Sequence, residues 1–170
     1  RFSGIKKPII TDSGGFQVFS LARNSMGGTV NHVKITDDGV EFRSPIDGEK
    51  FFFTPEFSIQ AQQKIGADFI VAFDECVANG ASYEYTKKAT ERTHRWAIRS
   101  LKSKVNPDSI GVKSQKSVKQ EVYGVIQGGC FEDVRRESAR FISSLPFFGL
   151  AIGGVSVGET KKEIREQISW

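Results

Sequence analysis

Four short stretches of the sequence place polar or glycine residues directly after apolar runs. They are Asp12-Ser13-Gly14-Gly15, Asp74-Glu75-Cys76, Gln127-Gly128-Gly129 and Gly153-Gly154. If each apolar run is a buried β-strand, each stretch lies at the carboxyl end of a strand, where parallel α/β proteins build their sites. Any one of these ends would also suit an ordinary turn, but four of them together indicate one shared site.

The side chains at these strand ends suit a flat heterocycle such as guanine. A carboxylate such as Asp74 can accept from two adjacent donors, which guanine presents as N1–H and the 2-amino group. The amide of Gln127 and the backbone N–H of Gly154 can reach O6 and N7, while the ring of Phe16 can stack on the base. The same residue types would also bind a sugar, so the residues alone leave both ligands open.

Strands and helices alternate along the chain, and these elements must position the polar ends. The predicted strands are residues 8–10, 67–73, 121–126 and 148–152, and the predicted helices are residues 55–65, 82–104, 131–144 and 159–170. The helix at 55–65 has the clearest ends, because Thr54 can cap it, Pro55 suits its first position and Gly66 can stop it. This alternation predicts an α/β fold with a parallel sheet of right-handed βαβ units.

Three further segments carry predictions of their own. Alternating residues on both sides of Asp37-Asp38-Gly39 predict a β-hairpin insertion at about 32–43. Residues 22–31 are predicted to be a loose segment, and residues 102–120 a polar linker. The basic stripe on the predicted helix 82–104 is interpreted as a solvated face, and its members are Lys88, Arg92, Arg95, Arg99 and Lys102.

Composition limits the class of protein. The 170 residues are 38% hydrophobic and 26% charged, which is ordinary for a globular domain, and the net charge of +4 slightly favours a polyanionic partner. No apolar run approaches the roughly 18 residues of a membrane span, so we expect no membrane contact and a cytoplasmic location. Cys76 and Cys130 have no partners at metal-ligand spacing, so neither a disulfide framework nor a metal site is predicted in this chain.

Seven motifs, taken in order and with their spacing, resemble one enzyme family. They are residues 11–17 (TDSGGFQ), 42–48 (FRSPIDG), 54–56 (TPE), 72–76 (AFDEC), 95–96 (RW), 123–129 (YGVIQGG) and 151–159 (AIGGVSVGE). Across essentially the whole chain they resemble the queuine tRNA-ribosyltransferases, also called tRNA-guanine transglycosylases.

The resemblance implies a TIM (β/α)8 barrel, of which residues 1–170 would form about half as a partial catalytic domain. It also implies a pentosyltransferase that exchanges guanine at the wobble position of a G-U-N anticodon for a 7-deazaguanine, in queuosine biosynthesis. Its partners would be tRNA, the 7-deazaguanine base and, when full length, a second copy in a homodimer.

The resemblance also implies roles for individual residues. Asp12 would be the general acid/base, Asp74 would read the N1–H and 2-amino edge, and Gln127 with the Gly154 backbone would bind O6 and N7. Glu159 would influence the peptide that faces the 7-substituent. The base pocket would be lined by Ser13, Gly14, Gly15 and Phe16, with Phe16 stacking. Cys76 resembles the bacterial branch, which takes 7-aminomethyl-7-deazaguanine (preQ1) rather than queuine.

The family's nucleophilic aspartate and its Cys-x-Cys-x-x-Cys…His zinc site lie beyond the matched region. We therefore expect no cofactor in this chain, one structural zinc in the full-length protein, and no turnover by residues 1–170 alone. Two alternatives stay open at this point. One is a TIM-barrel glycoside hydrolase that uses Asp12 and Asp74, and the other is a non-catalytic tRNA-binding partner subunit.

Overall fold

The structure is a computed structural model, and it describes residues 6–24, 33–44, 46–104 and 120–170. Within these residues the elements follow one another in the order α1 (Gly15–Asn24), β1 (Lys34–Ile35), β2 (Val40–Arg43), β3 (Lys50–Phe53), α2 (Pro55–Ile65), β4 (Phe69–Val71), α3 (Tyr83–Lys102), β5 (Glu121–Ile126), α4 (Glu132–Ser143), β6 (Gly149–Ile152) and α5 (Lys161–Ser169).

Strands β4, β5 and β6 form a parallel sheet in which neighbours in space are also neighbours in sequence. Ile70 lies opposite Val122, and an isolated parallel bridge joins Ile10 to Phe69 on the other side of β4. The predicted α/β class with parallel strands is therefore confirmed. The closed eight-stranded barrel stays a prediction, although this consecutive parallel order is the one that such a barrel requires.

Local sequence signals define the ends of α2 as predicted. The hydroxyl of Thr54 accepts from the backbone N–H of Phe57 at 3.1 Å, and Gly66 ends the helix with a left-handed φ of 81°. Only glycine adopts that backbone conformation without strain, so the stop at residue 66 is encoded locally.

Three elements differ from the sequence prediction. The strand predicted at residues 8–10 is present only as the isolated bridge of Ile10, although the backbone N–H of Thr11 also donates to the carbonyl of Phe69 at 3.1 Å. Helix α1 includes residues 22–24, which were predicted to be loose, and it buries Val18 against Val40 and Trp96. Strand β3 was not predicted, and it pairs with β2 so that the hairpin becomes a three-stranded antiparallel sheet. Helix α1 thus depends on contacts that are distant in sequence, whereas β3 pairs with the strand directly before it. The rest of the predicted loose segment and most of the predicted linker lie outside the described residues.

The core has two clusters, one that includes β4 and one formed around Phe73, just after β4. In the first, Ile59 of α2 packs on Ile70 and Val122 of the sheet. In the second, Phe73 stacks on Trp96 with ring centroids 4.8 Å apart, and both side chains are fully buried. Burial of each such aromatic side chain contributes about 1.5–3 kcal/mol to stability, so the packing of Phe73 on Trp96 fixes the chain just after β4.

The arginines of the basic stripe bind the tip of the hairpin. Arg92 and Arg95 donate to the carboxylate of Asp37 at 3.0 and 2.8 Å, and the indole N–H of Trp96 donates to its carbonyl at 2.7 Å. Arg99 donates to the same carbonyl at 3.1 Å. The interpretation as a solvated face fits Arg95, which is exposed, but it is wrong for Arg92 and Arg99, which are partly buried. The hydrogen bonds of all three arginines tie α3 to the three-stranded sheet.

None of the helices in the described parts of the chain combines the length and the apolar character that a membrane crossing needs.

Candidate functional site

The carboxyl ends of β4, β5 and β6 surround a cavity of about 250 Å³. Its lining includes six of the ten predicted site residues, which are Asp12, Phe16, Asp74, Cys76, Gln127 and Gly154. The loop that follows β6 forms one wall of the cavity. This volume is at the small end for ligand pockets, so it suits one heterocycle better than a whole nucleotide.

Asp74 lies buried in this cavity between two neutral donors. The hydroxyl of Ser13 donates to Oδ1 at 2.9 Å, and the amide of Gln127 donates to Oδ2 at 2.6 Å. Among the described residues no cation lies within ion-pair distance of this carboxylate. A carboxylate offers about four lone-pair positions, so two positions remain for the donors of a ligand.

Burial raises the pKa of Asp74 to about 6. The hydrogen bonds from Gln127 and Ser13 lower it, while the negative charge of Asp12 raises it further. The carboxylate is therefore mostly ionised at neutral pH, but it is poised to take a proton in mildly acidic solution.

The Ser13-Gly14-Gly15 turn supports Asp74 from behind and does not form the cavity wall. A side chain at Gly15 would place its Cβ 2.5 Å from Oδ1 of Asp74, so this position requires glycine. A hydrogen bond from α2 holds the turn in place, because the hydroxyl of Ser58 donates to the carbonyl of Ser13 at 2.6 Å. Gly14 supplies the left-handed backbone that the turn needs, with a φ of 90°.

Asp12 and Phe16 lie at the open side of the cavity. The carboxylate of Asp12 is exposed and accepts from the backbone N–H of Ser13 at 2.7 Å, while the ring of Phe16 is 48% exposed. One carboxylate of the site is thus open to solvent and the other, Asp74, is buried. Such a pair suits two different roles, proton transfer at the rim and ligand recognition inside.

Gln127 is fully buried, and its amide fits against two glycines. A Cβ at Gly153 or at Gly154 would lie 2.5 Å from the amide nitrogen or oxygen of Gln127. The amide oxygen is buried and has no hydrogen-bond partner among the described residues. The backbone N–H of Gln127 donates to the hydroxyl of Ser138 at 3.2 Å, which fixes the end of β5 to α4.

Cys76 and Glu159 lie near the loop that follows β6. Burial raises the pKa of the Cys76 thiol to about 12, and the negative charges of Asp74 and Glu159 add to this effect, so Cys76 is a neutral thiol on the cavity wall. Glu159 does not line the cavity. Its Oε2 accepts from the backbone N–H of Val157 at 2.7 Å and so holds the loop wall in place.

Arg135 is a site residue that the sequence reasoning missed. Its side chain is buried, and it donates to the carbonyl oxygens of Gly129, Gly153 and Gly154. A signal for it exists in the sequence, because Arg135 shares a helix face with Ile142, seven residues further on, which is fully buried. A charged residue within a buried stripe indicates a specific partner.

No group of three or more His, Cys, Asp or Glu side chains in the described residues is arranged to hold a metal ion.

Comparison with known proteins gives a consistent result. Residues 1–170 match the family model described as "TGT: Queuine tRNA-ribosyltransferase". The chain is similar to the queuine tRNA-ribosyltransferase of Herpetosiphon aurantiacus, with 48% identity over 164 residues that cover 96% of this chain and 37% of that protein. It is also similar to the queuine tRNA-ribosyltransferase of Thermotoga maritima, with 47% identity over 95% of this chain and 38% of that protein. The enzyme of Enterococcus faecalis is 44% identical over 100% of this chain and 40% of that protein. The chain thus spans about two fifths of the length of the curated relatives it matches.

Proposed function

This chain belongs to the queuine tRNA-ribosyltransferase family, and from that premise we propose that the protein exchanges guanine in a tRNA anticodon for a 7-deazaguanine base. The single observation that carries the proposal is the buried carboxylate of Asp74, which is held by neutral donors at the end of β4 and has acceptor positions to spare.

We assign the reading of the base to Asp74. Guanine and 7-deazaguanines both present N1–H beside the 2-amino group, and an ionised carboxylate with two remaining lone-pair positions accepts from both. A sugar hydroxyl would also donate to Asp74, but a sugar would not use the exposed face of Phe16 at the cavity as a flat base would. We propose that Phe16 stacks on the base, as aromatic side chains do in other base-binding sites.

We assign proton transfer to Asp12. The leaving guanine must gain a proton on the ring nitrogen that was bonded to ribose, and the incoming base must lose one from the same position. Asp12 lies at the rim of the cavity that holds Asp74, and its exposed carboxylate can exchange protons with water between the two steps.

The opposite edge of the base would face the strand ends after β5 and β6. The amide nitrogen of Gln127 carries two hydrogens, and only one of them is used by Asp74, so the second can donate to O6 or N7. The backbone N–H of Gly154 would be the further donor to O6. These roles explain why the amide and both glycines lie together on one wall.

We further propose that the incoming base is preQ1. Cys76 offers a small neutral thiol on the cavity wall, and Glu159 holds the loop at Val157, so this side of the cavity suits a short amino-bearing 7-substituent. The tRNA with its G-U-N anticodon, a homodimer and a cytoplasmic setting belong to the same proposal.

A covalent intermediate would keep the ribose ready for the new base, and it requires a nucleophile on the face of the sugar opposite to the departing guanine. Asp12 and Asp74 already have other roles in this scheme. We therefore propose that the nucleophile, like the ligands of the structural zinc, is supplied by residues outside this chain, and no step proposed for the present residues depends on the metal.

The test is an exchange assay with radiolabelled guanine, using the gene product that carries this sequence and unmodified tRNA. We expect label to enter a tRNA with a G-U-N anticodon. A matched tRNA with an A-U-N anticodon should take up no label, because it has no guanine at the wobble position. Asp12→Ala should lose at least a hundred-fold in rate, in the range of general acid/base contributions, while it still binds guanine. A wild-type protein that binds guanine and tRNA without exchange would instead support the non-catalytic partner subunit.

A further inference from the structure

Arg135 of α4 connects the loops that follow two adjacent strands. Its Nε donates to the carbonyl of Gly129, after β5, at 2.7 Å. Its two terminal nitrogens donate to the carbonyl of Gly153, after β6, both at 3.2 Å, and one of them also donates to the carbonyl of Gly154 at 3.0 Å. One rigid guanidinium thus holds three backbone carbonyls, and the loops after β5 and β6 are fixed relative to each other.

The surroundings of Arg135 make this arrangement costly. The residue is 3% exposed, and no carboxylate in the described residues lies within ion-pair distance of it. Burial lowers the pKa of its guanidinium, and the negative charge of Glu159 is among the influences that oppose this. An arginine stays charged in proteins, so the fold accepts a buried cation that only carbonyl dipoles solvate directly.

The glycines of the two loops make room for this side chain. A Cβ at Gly128 would lie 2.6 Å from Cγ of Arg135, and one at Gly154 would lie 3.5 Å from its Nη2. The Gln127-Gly128-Gly129 and Gly153-Gly154 motifs therefore surround Arg135 as well as the cavity.

The peptide between Gly153 and Gly154 carries the effect of Arg135 to the cavity. In a trans peptide the carbonyl of one residue and the N–H of the next point in opposite directions. Arg135 binds the carbonyl of Gly153 from outside, since it does not line the cavity, whereas both glycines do. The N–H of Gly154 is consequently turned away from Arg135, at a residue that lines the cavity.

We propose that Arg135 is a positioning residue that makes the site select bases with an acceptor at position 6, because it orients the Gly153–Gly154 peptide. This inference rests on the proposed function, in which the N–H of Gly154 donates to O6. It adds a second determinant of specificity to Asp74: Asp74 reads the 2-amino edge, and Arg135 acts through the backbone on the 6-position.

The test compares three bases by calorimetry with the purified gene product that carries this sequence. Guanine has O6 and the 2-amino group, hypoxanthine keeps O6 but lacks the amino group, and 6-thioguanine keeps the amino group but has the weak acceptor sulfur at position 6. Arg135→Lys retains the charge but cannot hold three carbonyls with one planar group. We expect it to lose about ten-fold in affinity for guanine and for hypoxanthine, and clearly less for 6-thioguanine.

Two controls accompany the measurement. Arg136→Lys changes the neighbouring arginine, which is exposed and paired with Glu132 within the same helix, and it should alter no affinity. Asp74→Asn is the complementary variant, and it should remove the preference for guanine over hypoxanthine while it keeps the preference for oxygen over sulfur. The ratio of two affinities is measured on one preparation, so partial misfolding of a variant does not change it.

Equal losses for all three bases in Arg135→Lys, or no loss at all, would overturn the inference while the proposed function stands. A wild-type protein that binds none of the three bases would overturn the proposed function, and the inference with it. A smaller guanine to 6-thioguanine ratio in Arg135→Lys, with Arg136→Lys unchanged, would support the positioning role.

Discussion

Asp74 and Glu75 are consecutive residues after β4, and both carboxylates are buried, but their surroundings differ. Glu75 accepts from the hydroxyl of Tyr85 at 2.7 Å and forms an ion pair with Arg92. In the part of the chain that the structure describes, the side chains that donate to Asp74 are the neutral groups of Ser13 and Gln127. One carboxylate therefore faces α3 and is neutralised, and the other faces the cavity and keeps its charge without a cation.

The difference indicates what each carboxylate is for. A buried charge that serves the fold is best paired, since an unpaired one costs several kcal/mol. The pair of Glu75 and Arg92 continues to Asp37 and so connects β4 with the hairpin. On the cavity side Asp74 has no opposite charge in direct contact among the described residues, which is the arrangement expected where a ligand supplies the remaining partners.

The largest effect is expected from Glu75→Ala, which breaks the paired side of this comparison. The substitution leaves Tyr85 without its acceptor and Arg92 with Asp37 as its remaining partner, so the free energy of unfolding should fall by somewhat more than about 3 kcal/mol, the lower end for a broken buried pair, in a urea titration. The matched control is Glu41→Ala, because Glu41 pairs with Lys50 on the exposed surface of the hairpin, and it should cost at most about 1 kcal/mol. Similar losses in both variants would show that the buried pair does not anchor the fold.

A somewhat smaller effect, about 3 kcal/mol, is expected from pH on the unpaired side. Burial raises the pKa of Asp74 from 3.8 to about 6, so the folded protein holds this proton more tightly than the unfolded chain does. The stability contributed by the protonated form is fully present below about pH 4 and is lost as the pH rises through 6. A shift of this size corresponds to about 3 kcal/mol.

Asp74→Asn isolates this contribution. Its free energy of unfolding should change less between pH 4 and pH 7 than that of the wild type, by about 3 kcal/mol. The fold tolerates the asparagine because the unpartnered amide oxygen of Gln127 can turn to accept from it. Asp47→Asn, at an exposed turn, should leave the wild-type pH dependence in place. A pH dependence that persists in Asp74→Asn would assign it to another group.

Features encoded by short segments were predictable from the sequence. The helix at 55–65 was confirmed at both ends because Thr54, Pro55 and Gly66 carry their own capping chemistry. Strand β5 matches the predicted residues 121–126 for a similar reason, since a continuous apolar run between polar ends suits a buried parallel strand. The convergence of Asp74 and Gln127 followed from the rule that parallel strands end at one edge.

Features that depend on distant partners were not predictable in this way. The Gly14-Gly15 pair is typical of a loop, yet α1 begins at Gly15, where the space beside Asp74 admits no side chain. Arg99 has the spacing of a solvated helix face, and its partners Asp37 and Asp38 are more than 60 residues away in sequence. The partners of Arg135 were unpredictable for the same reason. Its position on a buried helix face indicates that it has a partner, but the backbone carbonyl groups that it binds have no signature in the sequence.

The smallest effect is expected from Arg99→Lys, which weakens the paired side at its partly exposed margin. Arg99 donates to both oxygens of Glu56, each at 2.7 Å, and to the carbonyls of Asp37 and Asp38. Lysine keeps the charge but loses this planar, multidentate contact, so we expect a loss of about 1 kcal/mol in the free energy of unfolding. Burial alone would raise the pKa of Glu56, but the hydrogen bonds from Arg99 help to hold it below its ordinary value.

The measurement for Arg99→Lys therefore has two parts. The pKa of Glu56, followed by carbon-detected NMR, should move upward in the variant, which a general loosening of the surface would not cause. Arg136→Lys is the control, because its partner Glu132 lies one turn away on an exposed helix face, and it should change stability by no more than about 0.5 kcal/mol. Guanine affinity should be equal in wild type and Arg99→Lys. A loss of guanine affinity here would contradict the separation of the two networks, since it would mean that the hairpin anchor, and not only the cavity side of β4, sets the position of Asp74.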